Sequence, residues 1–77
     1  MTKAEFLRIL EGELELPPSS LSEGQTLSAV DGWDSMSALL FIAMADEKLG
    51  ATVSGEQIAK SRTVGDLLSL LGGKLTD

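Results

Sequence analysis

The residues best placed to do chemistry stand together in one short stretch, Asp31-Gly32-Trp33-Asp34-Ser35-Met36. A glycine-containing turn here places a serine in the first turn of a long predicted helix. Free backbone N–H groups and the positive end of the helix dipole favour an anion at that place. Ser35 is therefore a candidate site for a phosphate or phosphodiester. The alternative is that Asp34 or Ser35 serves only as a helix N-cap, a common role for both residue types.

The side chains that usually activate a nucleophile are missing from the chain. It contains no cysteine and no histidine, which excludes thiol catalysis, thiolate metal sites and the commonest general base. No motif pairs a lysine with Ser35. Asp31 and Asp34 could share a divalent cation, but acidic turns are common and EF-hand spacing is absent, so no metal site is predicted. A binding or carrier module is favoured over an enzyme.

Length and charge limit the remaining possibilities. A chain of 77 residues has room for one domain, predicted to span residues 1–77. Its net charge of −6 argues against nucleic acid, whose phosphates require clustered Lys and Arg. The acidity either complements a basic partner or only maintains solubility. Because neither a signal-peptide pattern nor a membrane-spanning apolar stretch is present, we expect a soluble, cytoplasmic monomer.

The first predicted helix covers residues 3–15. Thr2 and Glu5 have the spacing of a capping box, and Phe6 and Leu10 recur at helical spacing while Glu11 and its charged neighbours form the other face. Pro17-Pro18 prevents continuation. The following segment, 17–34, has no sustained period and is predicted to be a long loop, held onto the helices by its three spaced apolar residues, Leu21, Leu27 and Val30.

The second predicted helix runs from Ser35 to Leu49 and ends at Gly50. It is apolar on nearly all sides, which indicates either full enclosure or one face offered to a partner. The predicted core face consists of Ala38, Phe41, Ile42, Ala45 and Leu49, with Leu39 at its edge. The opposite face is the predicted partner surface, consisting of Met36, Leu40, Met44 and Glu47. Trp33 is interpreted as a hydrophobic anchor at the entrance to this helix.

Two further helices are predicted in the remainder of the chain. Residues 54–60 form a short one with Ile58 pointing inward, after an extended connector that buries Val53. Thr63-Val64-Gly65-Asp66 has the form of a second capping box and opens the last helix, which Gly72 ends. The predicted fold is all-α, a small bundle of three main helices and one short helix with a long first loop.

The motifs together resemble the acyl carrier protein family and the related peptidyl carrier domains. Gly32-Trp33-Asp34-Ser35-Met36 is similar to the family's Asp-Ser-Leu attachment motif, and Thr63-Val64-x-Asp66-Leu67 to the start of its last helix. The resemblance implies that a phosphopantetheinyl transferase moves 4′-phosphopantetheine from coenzyme A to Ser35. The thiol of that arm would carry acyl intermediates as thioesters. Asp34 matches the flanking aspartate, which in the family lies beside the transferase's metal.

Two departures from the family pattern bear on the partners. Met36 replaces the usual leucine, and the acidic outer face of helix two is reduced to Asp46 and Glu47, with Ser37 and Leu40 at comparable positions. This favours a specialised lipid, polyketide or secondary-metabolite pathway over standard fatty acid biosynthesis, with acyl-loading and acyl-processing enzymes as partners. The alternatives are an aminoacyl or peptidyl carrier, and a non-carrier helical protein-interaction domain in which Ser35 is only a cap.

Overall fold

Four α-helices and two short 3₁₀ helices make up the regular structure of the chain in a computed structural model, which describes residues 1–30 and 32–76. The α-helices are α1 (Lys3–Glu13), α2 (Ser35–Leu49), α3 (Gly55–Ala59) and α4 (Val64–Ser69), and the 3₁₀ helices are Leu27–Ala29 and Gly72–Lys74. The described residues contain no strand beyond one isolated bridge between Thr26 and Thr63. The predicted all-α class is confirmed, as is the long loop between α1 and α2.

Helix α1 begins at the predicted capping box and ends two residues earlier than predicted. Thr2 Oγ1 accepts from the Glu5 N–H at 3.1 Å, and the Glu5 carboxylate accepts from the Thr2 N–H at 2.8 Å. At the other end Glu15 has a φ of 58°, and the N–H groups of Glu15 and Leu16 donate back to the carbonyls of Gly12 and Glu11. This pair of bonds is a Schellman motif, which stops the helix before the prolines are reached.

The loop after α1 is held by a carboxylate that the sequence analysis placed on the exposed face, and that placement is wrong. Glu11 is only 2% exposed. Its two oxygens accept from the backbone N–H groups of Ser19, at 3.0 Å, and Leu21, at 2.8 Å. Arg8 Nε lies 2.8 Å from Glu11 Oε1, and the same guanidinium donates to the Leu21 carbonyl at 2.9 Å. The burial is tolerated because the carboxylate is both paired and hydrogen-bonded.

The far part of the loop is fixed to the start of α4 by backbone contacts. The Leu27 N–H donates to the Arg62 carbonyl at 2.8 Å, and the Gly65 N–H donates to the Glu23 carbonyl at 2.8 Å. A Cβ on Gly65 would lie 3.0 Å from that Glu23 oxygen, so the close approach depends on glycine. The apolar side chains predicted to hold the loop in place are buried, as expected: Leu21, Leu27 and Val30.

Helix α2 has the predicted bounds and crosses the centre of the core. Gly50, with a φ of 65°, forms its left-handed C-cap. Phe41 is fully buried and meets Phe6 of α1 edge to face, with ring centroids 5.7 Å apart and planes at 82°. Such aromatic pairs contribute about 0.5–1.5 kcal/mol beyond the area they bury. The contact sets which side of α2 faces the core.

The two short helices also begin at capping boxes. Ser54 and Gln57 cap α3, whose buried residue is Ile58, and Thr63 and Asp66 cap α4. Helix α4 ends at Ser69, before the predicted stop, and Gly72 then adopts a left-handed conformation at the start of the last 3₁₀ helix. Across the described residues, no helix has the length and apolar character needed to cross a membrane.

Candidate functional site

Asp34, and not Ser35, is the N-cap of α2. Its backbone is extended, and its Oδ1 accepts from the Ser37 N–H at 3.0 Å. Hydrogen bonds from the Ser37 N–H and, secondarily, the Ser37 hydroxyl hold the pKa of the Asp34 carboxyl below its ordinary value because they stabilise its charged form. The hypothesis that Ser35 itself is the helix cap is therefore wrong.

Ser35 occupies the first residue of α2, and its side chain is exposed. Its hydroxyl makes no hydrogen bond to any residue within 1–30 or 32–76. The cap thus fixes the backbone on either side of Ser35 without using its hydroxyl. A group attached to this oxygen would begin at the positive end of a 15-residue helix, where a phosphodiester is stabilised.

A groove opens directly beside Ser35, between α2 and α3. Its volume is about 560 Å³. Its walls are mainly apolar and come from α2, α3, the end of the loop and Trp33, and the lining residues are Leu27, Trp33, Asp34, Ser35, Ala38, Leu39, Ile42, Gly55, Ile58, Ala59 and Ser61. Trp33 is half-buried and packs against the core while it lines this groove. The side chain of Trp33, predicted to be a hydrophobic anchor, therefore also forms part of the groove wall.

The solvent-facing side of α2 differs from the predicted partner surface. Met44 is 5% exposed and lies in the core, so its predicted place on that surface is wrong. Leu39, predicted at the edge of the core face, is 59% exposed, and Met36 is 64% exposed. Leu40 is half-buried and Glu47 is exposed. The helix is rotated relative to the prediction, with Met44 turned inward and Leu39 outward.

Asp31, which the sequence analysis considered as a partner of Asp34 for a divalent cation, lies outside the described residues. Among residues 1–30 and 32–76, no group of three Asp or Glu side chains is arranged to hold a metal ion.

Comparison with protein-family models matches residues 4–71 to the phosphopantetheine attachment site family. The chain belongs to this family. Its members are non-catalytic carrier domains with a covalently attached 4′-phosphopantetheine. Carrier domains interact with a phosphopantetheinyl transferase and with partner enzymes. Searches of curated proteins and of solved structures gave no match.

The geometry around Ser35 fits the group that this carrier family bears. The hydroxyl is exposed, its backbone is fixed by a neighbouring cap, and an apolar groove begins beside it. Sequence reasoning found Ser35, Asp34 and Trp33. It missed the burial of Ser37, for which the only sequence signal is its position three residues after the N-cap, and it missed the exposure of Leu39.

Proposed function

We propose that residues 1–77 act as an acyl carrier domain whose Ser35 bears the 4′-phosphopantetheine arm. The observation that carries the proposal is the exposed Ser35 hydroxyl, which the Asp34 cap leaves unused at the helix N-terminus. When bound, the arm supplies the thiol that this chain lacks and carries acyl groups as thioesters. The residues of the chain orient the attachment point and offer a surface to the enzymes that act on it.

Loading the arm requires one substitution at phosphorus. Ser35 Oγ attacks the β-phosphorus of coenzyme A, the new O–P bond forms, and the phosphoanhydride bond to the nucleotide half breaks. Adenosine 3′,5′-bisphosphate leaves, and the hydroxyl proton passes to a base of the transferase. The phosphodiester formed keeps one negative charge, which the positive end of α2 stabilises.

The groove supports an acyl cargo over an aminoacyl one. Its inner wall carries Ile42 and Ile58, and burying an aliphatic chain of CH₂ groups against such side chains contributes about 0.8 kcal/mol per CH₂. A charged amino group packed against these two isoleucines would lose hydration and gain only apolar contacts there. An aminoacyl or peptidyl carrier remains the alternative. To distinguish the two, the arm is loaded either with an acyl chain or with an aminoacyl group. Chemical-shift changes at Ile58 with the acyl chain alone would favour the acyl carrier.

The surface of α2 supports a specialised pathway. Near Ser35 it presents Met36 and Leu39, whereas the acidic residues Asp46 and Glu47 lie only in its last turns. Among the described residues of α2 and its cap, enzymes that recognise mainly charge would find one carboxylate beside the attachment point, that of Asp34. We therefore propose a partner surface of Met36, Leu39, Leu40 and Glu47, used in lipid modification, polyketide synthesis or another secondary pathway.

Intact-mass spectrometry tests the attachment. The purified chain is incubated with coenzyme A and a broad-specificity phosphopantetheinyl transferase. We expect a gain of one phosphopantetheine in the wild type and in Ser69→Ala, an exposed serine of α4, and no gain in Ser35→Ala. Absence of a gain in the folded wild type with several transferases would favour the helical interaction domain instead.

A charge substitution tests the partner surface. Leu39→Glu should raise the KM of the transferase for the carrier at both low and high salt, because it places a charge on an apolar contact. Ser69→Glu makes the same charge change on α4 and should have no effect. A KM for Leu39→Glu equal to that of the wild type would remove Leu39 from the proposed surface.

A further inference from the structure

The buried hydroxyl of Ser37 has no part in the proposed attachment of the arm to Ser35. Ser37 is 5% exposed although serine is usually found at the surface. It lies on the core side of α2, one turn before Phe41. A buried hydroxyl is costly unless it is hydrogen-bonded, so its partners indicate what it does.

The Ser37 hydroxyl connects the turn before α2 to the helix cap. Its Oγ lies 3.2 Å from the Gly32 carbonyl oxygen and 3.2 Å from Asp34 Oδ1, and its own N–H donates to the same Oδ1 at 3.0 Å. Within the described ranges, the Gly32 carbonyl accepts no other hydrogen bond. The hydroxyl has one proton, which these two acceptors share, and its contact with the Gly32 carbonyl closes the segment 32–37 into a ring.

That ring contains Ser35. The other restraints on the turn lie on its Trp33 side, where the Trp33 N–H donates to the Val30 carbonyl at 3.2 Å and the indole packs against the core, whereas Gly32 has a φ of 76°. Without the Ser37 hydroxyl, Asp34 would keep the backbone N–H bond that makes it the cap. The Gly32 carbonyl, however, would lose its link to the helix. The preceding turn would then be freer relative to α2, and Asp34 Oδ1 would keep only one of its two donors, so the first turn of α2, which contains Ser35, would fray more easily.

We propose that Ser37 is a positioning residue for the modification of Ser35, an inference that rests on the proposed function. Its hydroxyl restricts the place of Ser35 Oγ relative to the helix surface on which the transferase docks. Orientation of this kind acts on the chemical step, because a displacement of about 1 Å between reacting atoms costs roughly a hundredfold in rate. Docking itself uses exposed side chains such as those of Met36 and Leu39. Neither of these side chains takes part in the hydrogen bonds of Ser37.

Kinetics of arm transfer to the apo chain test the proposal. Ser37→Ala should lower kcat by roughly tenfold or more while KM for the carrier stays within about twofold, since orientation is lost and docking is kept. Ser37→Thr, which retains a hydroxyl, should restore most of kcat. Ser69→Ala is the matched control, because Ser69 Oγ also donates to a backbone carbonyl, that of Gly65 at 3.0 Å, but on α4. It should match the wild type.

A second variant and a second readout keep the test decisive. Gly32→Ala leaves Ser37 intact and meets no atom within 4 Å, but it strains the positive φ that presents the Gly32 carbonyl. It should show the same loss in kcat. In both variants the ¹⁵N order parameter of the Trp33 amide should fall from about 0.85 towards 0.6.

The outcomes separate the two proposals. An unchanged kcat in Ser37→Ala, or a loss confined to KM, would overturn the positioning role while the wild type is still modified. If circular dichroism shows that Ser37→Ala does not fold, Gly32→Ala decides, and an unchanged kcat there overturns the role. A wild type that accepts no arm would overturn both the proposed function and this inference.

Discussion

Replacement of Glu11 by alanine should destabilise the chain far more than replacement of Glu13, an exposed glutamate of the same helix. The variant removes both oxygens that accept from the N–H groups of Ser19 and Leu21. The Leu21 N–H is buried and would lose its acceptor, which costs about 1–3 kcal/mol. Ser19 is exposed, so its N–H can turn to water. Arg8, whose side chain is 43% exposed, can also regain hydration.

The expected loss is about 2–3 kcal/mol, since the cavity left by the side-chain methylenes adds to the unsatisfied N–H. A domain of 77 residues has a total stability of roughly 4–12 kcal/mol at about 0.05–0.15 kcal/mol per residue. The variant should therefore lose roughly a sixth to three quarters of its stability. Its Tm should fall by roughly 8–24 °C, at about 4–8 °C per kcal/mol for a domain of this size.

Urea unfolding followed by Trp33 fluorescence and far-UV circular dichroism provides the measurement, with Glu13→Ala as the control. Glu13 is an exposed residue of the same helix, so the two variants differ in burial and not in chemistry. Glu11→Gln, which keeps one acceptor oxygen, should fall between them. A Glu11→Ala stability within about 0.5 kcal/mol of Glu13→Ala, the usual range for a surface substitution, would refute the idea that this carboxylate holds the loop.

Three further predictions follow from the backbone and the cap. Glu15→Gly should raise the unfolding free energy by up to about 1 kcal/mol, because the residue sits at a φ of 58° that glycine adopts without strain; thermal unfolding would show this, and a lower Tm would contradict it. Gly65→Ala should lower the unfolding free energy by about 1–3 kcal/mol, since its Cβ would lie 3.0 Å from the Glu23 carbonyl; an unchanged urea midpoint would show that the loop yields. Hydrogen bonds from Ser37 lower the pKa of Asp34, so the stability that this carboxylate contributes is present above its unfolded pKa of about 3.9 and is lost as the pH falls through the lower folded value. The stability difference between the wild type and Asp34→Asn should therefore shrink as the pH falls below about 4, and a constant difference would exclude this linkage.

The parts of the fold that the sequence predicted well are those fixed by local signals. The bounds of α2 were correct at both ends because Asp34 is a strong N-cap and Gly50 adopts the left-handed conformation that few other residues accept. The starts of α3 and α4 followed from their capping boxes in the same way. In each case the stabilising contacts span three or four residues and are visible in the sequence.

The errors arose where distant parts of the chain decide the outcome. Helix α2 is apolar on nearly all sides, so its pattern does not determine its rotation; the contact between Phe41 and Phe6 does, and it turns Met44 inward and Leu39 outward. Glu11 was assigned to solvent by residue type, since glutamate is rarely buried. Its partners are backbone groups eight and ten residues away in a loop without regular period.

The two walls of the groove differ in how firmly the rest of the molecule holds them. The α2 wall is continuous with the aromatic contact at the centre of the core, whereas α3 has five residues and a single buried one, Ile58. Removing one isoleucine side chain from its packed site costs about 1.5–3 kcal/mol, which is less than the roughly 4–12 kcal/mol expected for global unfolding. Local opening of this kind should appear as faster amide hydrogen exchange in α3 than in α2. The groove can therefore widen by thermal motion. Its α2 side stays rigid, and its α3 side moves to fit the size of the group bound between the two helices.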